Sequence, residues 1–105
     1  MNFRDVQAAA WANKQAKGFN TTDVPLEFGL LSGEVAEAFT AWRKSMPDLG
    51  EELADVAIYL CGLARMLGVD LQGEVERKLA KNAGRVYVWG SGGCLVRVAE
   101  AGDPA

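Results

Sequence analysis

A chain of 105 residues, half of them hydrophobic and 24% charged, can close one modest core and has the profile of a soluble globular domain. A net charge of −3 at pH 7 and the lack of any histidine exclude His-based catalysis and His-ligated zinc, and leave no basic footprint for nucleic acid. Arg4 and Asp5 interrupt the N-terminus and no long uncharged apolar run follows, so no membrane span or secretion signal is expected and the chain reads as cytoplasmic.

The first predicted helix covers about Phe3 to Lys17, with Phe3, Val6 and Ala10 on one face and Gly18 as its stop. "FNTTDVP" is a loop, and Pro25 suits the first turn of a second helix that runs to about Lys44. Its expected dry stripe is Phe28, Leu31, Val35, Ala38 or Phe39, and Trp42. After "SMP", Asp48 and Glu51 have the spacing of a capping box that opens the third helix. Leu49, Leu53, Val56, Leu60, Leu63 and Leu67 form a seam that lasts until Gly68. Ala54, Ala57, Ile58, Cys61 and Ala64 are apolar as well, so this helix is expected to be dry nearly all round and to pair with copies of the chain.

Asp70 is the expected cap of a fourth helix, Leu71 to Ala83, with Arg77, Lys78 and Lys81 toward its end and Gly84 as its stop. "VYVWGSGGCLVRV" then changes the period to that of a β-hairpin, and the tail "AEAGDPA" is expected to fray. The division is thus residues 1–85, helical, and 86–105, hairpin and tail. Cys61 and Cys94 make no metal-type pair and are expected to stay reduced.

The most apolar part of the chain carries two pairs of carboxylates, Glu34 with Glu37 and Glu52 with Asp55. Residues three apart share a helix face, so each pair points one way, and two antiparallel helices can bring the pairs together. Asp55 lies between Ala54 and Val56 in the dry helix, where an unpaired ionised carboxylate costs several kcal/mol, roughly. Arg43, Lys44 and Arg65 are all distant along their helices. Oxygen-only donors without histidine suit a hard cation, Mg²⁺ or Mn²⁺. ExxE alone is common on solvated helix surfaces; an ExxD inside a dry helix is not.

These residues resemble the signature of the MazG-like, all-α nucleotide pyrophosphohydrolase superfamily: ExxE, a spacer, then ExxD. Here it reads "EVAE" (Glu34, Glu37), fourteen residues, and "EELAD" with Glu52 and Asp55. The similarity covers roughly Trp11 to Tyr87 and includes "KGF", "ADVAIYL" and "KLAKNAGRVY". With the hairpin and the dry third helix read above, the expectation is an all-α, four-helix MazG-like bundle with a short C-terminal β-hairpin, assembled as a homodimer or homotetramer. The resemblance implies that Glu34, Glu37, Glu52 and Asp55 hold Mg²⁺, with Mn²⁺ as a substitute, and are the catalytic acids. Lys78, Asn82 and Arg85 match the family's K-x-x-x-N-x-x-R pattern and would contact a nucleoside triphosphate, while Tyr59 and Trp42 would line its pocket. Phe19 is a further candidate contact; with Trp11 it also suits packing the loop over the bundle. Some dCTP-preferring members have histidine after the loop phenylalanine, where this chain has Asn20.

The implied reaction is hydrolysis of a (d)NTP to (d)NMP and pyrophosphate, a nucleotide-pool house-cleaning activity with no nucleic-acid or membrane partner. A phosphoribosyl-ATP pyrophosphohydrolase-like enzyme has the same acid arrangement. A helical dimer that binds nucleotide or a partner protein without turnover is the alternative outside catalysis.

Overall fold

In the computed structural model, which describes residues 1–99, four helices precede a two-stranded hairpin: α1 Phe3–Lys17, α2 Val24–Arg43, α3 Leu49–Met66, α4 Leu71–Ala83, β1 Val86–Trp89 and β2 Leu95–Ala99. Apart from Ala99, the tail "AEAGDPA" lies outside the described residues. The chain forms two compact units, Met1–Gln72 and Gly73–Ala105, which divide inside α4. The change from helical to strand period falls between Ala83 and Val86, as expected.

Local chemistry fixes the helix ends of the first unit. Asn2 and Asp5 form a reciprocal capping box on α1, and Gly18 ends it in the left-handed region at φ 71°, where a Cβ would be strained. Asn20 then folds the loop on itself: its Oδ1 accepts from the backbone of Thr22 and Asp23, and its Nδ2 donates to the Asp23 carbonyl. Asp23 caps α2 by accepting from Leu26 N, with Pro25 in the first turn. The capping box expected at α3 does not form. Asp48 occupies the N-cap position, but with φ −93° and ψ 14° its backbone is not extended and its side chain bonds no first-turn amide.

Helix α3 packs against both α2 and α1. The fully buried apolar residues are mostly small (Ala10, Ala38, Ala41, Cys61, Leu63 and Ala64), which lets the helices approach closely. The expected stripe of α2 is corrected by this packing. Its inward stripe is Glu27, Leu31, Glu34, Ala38 and Ala41, in steps of four and three, while Phe28, Val35, Phe39 and Trp42 are exposed. The seam of α3 splits in the same way: Leu49, Val56 and Leu63 turn inward, but Leu53, Leu60 and Leu67 stay exposed, together with Ala54, Ala57 and Ile58. On the first helix, Gln7, Ala10 and Lys14 are buried rather than Phe3.

Side chains of α1 tie it to the turn after α3. Gln7 Nε2 donates to the Val69 carbonyl at 2.6 Å, Gln7 Oε1 accepts from Leu71 N, and Arg4 pairs with Asp70 at 2.9 Å. The Arg65 guanidinium lies over the Trp11 ring, 5.1 Å from its centroid. Deepest is an ion pair: Lys14 Nζ reaches Glu27 Oε1 and Oε2 at 2.6 and 2.7 Å, with the Glu27 side chain 0% exposed.

In the second unit, β1 and β2 pair antiparallel with Tyr87 opposite Arg97, Val88 opposite Val96 and Trp89 opposite Leu95. Gly93, at φ 77°, allows the tight turn closed by the Gly90 N to Cys94 carbonyl bond. Both cysteines are free; burial pushes the Cys61 thiol pKa up, and Cys94 is exposed in the turn. No helix among the described residues is long and apolar enough to cross a membrane.

Removing one member of a buried ion pair strands the other charge, so Lys14→Met should cost about 3–5 kcal/mol in denaturant unfolding. The double variant Lys14→Met/Glu27→Met should recover most of that loss, because two apolar side chains of similar volume leave no uncompensated charge. A single Lys14→Met variant as stable as the parent would contradict the buried pair.

Candidate metal and nucleotide site

Glu34 and Glu37 come from one face of α2, and Glu52 from the facing side of α3. The two helices run in opposite directions: Glu27, early in α2, shares a cavity with Tyr59, late in α3, while Ala41 and Asp48 share another hollow. One carboxylate oxygen from each of Glu34, Glu37 and Glu52 lies within 4.8 Å of the others. Glu37 is close enough to both of the others to act on each. Glu34 Oε2 and Glu52 Oε2 are buried with no hydrogen-bond partner.

Partial burial, then the charges of Glu37, Asp55 and Glu52, raise the pKa of the Glu34 carboxyl. Glu52 is raised by the same order of causes: desolvation first, then Glu37, Asp48 and Asp55. Asp55 stands outside the tight trio but close enough to act on both. It lines the wall of an adjoining cavity of about 390 Å³.

That cavity also holds Phe19 and Tyr59, with Asn13, Lys14, Asn20, Glu27, Leu30 and Ile58 among its walls. Tyr59 is half-buried, and desolvation, followed by the charges of Glu34, Glu27, Asp55 and Glu37, raises the pKa of its phenol. On the other side of the acids, a hollow of about 310 Å³ is lined by Glu37, Asp48, Glu52, Thr40 and Met46. Asp48, expected to cap α3, instead adds a carboxylate beside Glu52, with its Oδ1 buried and unpartnered.

The structure therefore brings together Glu34, Glu37 and Glu52, with Asp55, Phe19 and Tyr59 on the adjoining cavity. Trp42 lines neither hollow: it is 63% exposed, its ring 6.0 Å from that of Phe39. Lys78, Asn82 and Arg85 belong to the second unit, where Arg85 Nη1 donates to Asn82 Oδ1 at 2.9 Å and Lys78 is exposed. Lys14, Glu27 and Asn13 are cavity residues that the sequence reading does not single out. A signal exists for two of them: Lys14 continues the buried Gln7–Ala10 stripe of α1, and Glu27 opens the stripe that carries Glu34.

The donor set fits a hard divalent cation. Its donors are all oxygens, two of them are buried without a partner, and desolvation followed by neighbouring like charges raises the pKa of Glu34 and Glu52. Glu34, Glu37 and Glu52 would hold the ion, with Asp55 and Asp48 as further carboxylates close enough to act on the trio.

Comparison with known proteins gives one match. The model of the MazG-like family matches residues 26–90, more than half of the chain and all of the acid cluster. No curated protein and no solved structure matches the chain.

Without cations, the raised carboxyls of Glu34 and Glu52 bind protons more tightly folded than unfolded. Their contribution to stability is full below the ordinary carboxylate pKa and is lost as pH rises through the raised folded values. At pH 7, Glu52→Gln should therefore raise the melting midpoint of the cation-free protein. Mg²⁺ at a hundred times its Kd should stabilise the parent by about 2.7 kcal/mol, and Glu34→Gln should remove most of that gain. Equal Mg²⁺-induced shifts in parent and variants, read by calorimetry, would place the ion elsewhere.

Proposed function

The chain belongs to the MazG-like family, and we propose that it is a Mg²⁺-dependent nucleotide pyrophosphohydrolase that cleaves a (d)NTP to (d)NMP and pyrophosphate in the cytoplasmic nucleotide pool. The family points to nucleotide pyrophosphohydrolase function in general; the observation that supports the finer reading is the acid trio with its two orphaned oxygens beside a cavity. Bound divalent cations supply neutralisation of the phosphates and acidification of water, and Mn²⁺ serves in place of Mg²⁺.

The chain's own residues do the rest. Glu34, Glu37 and Glu52 would hold, at the α2–α3 seam, the cations that bind the phosphate end of the substrate, and Asp55 lines the adjoining cavity. Phe19, Leu30 and Ile58 give the cavity apolar walls suited to the faces of a base and sugar. The Asn20 side chain is consumed by its own loop, and Glu27 by Lys14, which leaves Asn13 and Tyr59 as polar groups for the nucleoside. The match of Lys78, Asn82 and Arg85 to the family's K-x-x-x-N-x-x-R pattern is what supports them as phosphate contacts, and one glutamate accepts the proton of the attacking water. Attack beside the α-phosphate leaves pyrophosphate as the departing group.

The chain also associates with itself in this reading, as a homodimer or homotetramer. Phe28, Val35, Phe39 and Trp42 on α2, with Leu53 and Leu60 on α3 and Leu67 at its C-cap, form exposed stripes too apolar for a chain of this size to leave in water. Trp42 reaches a nucleotide pocket only if such association builds one around it.

Ion-exchange analysis of the first products should show monophosphate and pyrophosphate; a diphosphate with orthophosphate would rule out α–β cleavage. Asp55→Ala should lower kcat by roughly a hundredfold or more while the protein stays folded. Lys78→Ala should raise KM, and Glu51→Ala, exposed and bonded to no cap, should change neither. Light scattering at micromolar concentration should give at least a dimer, and a monomer would dismiss the self-association.

A further inference from the structure

The Lys14–Glu27 pair does more than fill the interior. Lys14 Nζ has three protons and meets three acceptors: the two Glu27 oxygens and, at 2.8 Å, the main-chain carbonyl of Asn20. Its stem passes over Gly62, where a Cβ would lie 2.7 Å from Lys14 Cε. The position is thus built on three elements: α1 supplies the lysine, α2 the counter-charge, and α3 the gap that the stem crosses.

What the ammonium holds is the loop 18–23. That loop's side-chain bonds are otherwise to near neighbours in sequence, within Asn20, Thr22 and Asp23 and from Leu26 N to the Asp23 cap, and Phe19 N returns to the Lys14 carbonyl at 2.9 Å. The bond from Nζ to Asn20 ties the loop to the buried interior. Phe19 and Asn20 line the same cavity as Asp55 and Tyr59. A buried ion pair is no better for stability than apolar side chains of the same volume, so stability alone does not account for it. Its geometry accounts for it, because three directional bonds place one carbonyl, and with it the neighbouring Phe19 ring.

We propose that Lys14 is a positioning residue, one that sets the width of the nucleoside cavity by pinning the Phe19–Asn20 wall through Glu27 and the Gly62 gap. This rests on reading the cavity as the nucleoside end of a pyrophosphohydrolase site. Lys14 touches no reacting atom and leaves the acid trio in place. Its loss is therefore felt in substrate binding more than in the chemical step.

The test uses the full chain carrying Lys14→Met/Glu27→Met, which leaves no stranded charge, and separately Gly62→Ala, which keeps both charges and displaces the stem. Each is assayed with Mg²⁺ and the best triphosphate of a panel, and each is followed by amide hydrogen exchange. KM should rise about tenfold with kcat within about twofold, since small misplacements of a substrate wall act on binding. Amides of residues 19–23 should exchange faster, while those at the centre of α3 keep their protection. A parent-like KM in the folded double variant overturns the proposal. If the parent hydrolyses no triphosphate, the functional reading fails by itself, and exchange decides the rest: unchanged protection of residues 19–23 overturns the positioning role, and faster exchange there supports it.

Discussion

Carboxylates on the facing sides of α2 and α3 repel one another, and the two helices must be held together across that repulsion. The structure meets this constraint by packing on both sides of the acids. On one side, Ala38 and Ala41 are buried within reach of the start of α3; on the other, Cys61 to Ala64 and the Lys14–Glu27 pair close the interior between three helices. The acids lie between, with two oxygens left unpartnered and the Glu34 and Glu52 carboxyl pKa values raised. A divalent cation bound there would relieve this repulsion, which is the differential affinity that the proposed metal site requires.

The same constraint explains why α2 has two stripes. A helix that must present Glu27, Glu34, Ala38 and Ala41 inward cannot also bury Phe28, Val35, Phe39 and Trp42, which lie about a quarter turn away. Small residues and acids make the inward stripe, because the α2–α3 approach must be close where the carboxylates meet. The large apolar residues are displaced to the outer surface. The acids and the large apolar residues thereby occupy different faces of one helix.

The acids also stand between two hollows of different character. The cavity on the Tyr59 side has apolar walls and few uncommitted polar groups, which suits the flat faces of a nucleoside. The hollow on the Asp48 side carries three carboxylates. In the proposed reading, a triphosphate would lie across this boundary only with its charges compensated, the nucleoside on the Tyr59 side and the phosphates at the acids.

Element order, most helix ends and the acid signature are legible in the sequence, because they depend on local chemistry. Gly18 and Pro25 punctuate the chain, and the three-residue spacings place Glu34 with Glu37 and Glu52 with Asp55 wherever the helices go. Three things depend on tertiary structure. Apolar periodicity marks Phe28, Phe39 and Trp42 as core, yet which stripe of α2 turns inward is decided by what α3 and α1 offer it. Sequence spacing assigns Asp48 to a cap, whereas its backbone angles turn its carboxylate toward Glu52. The Lys14–Glu27 pair joins residues thirteen apart on separate helices, through a gap at Gly62 that no local rule connects to either. A charge placed on a buried stripe reads as a surface residue until its partner is known, since burial and pairing are properties of the packed helices and not of the order of residues along the chain.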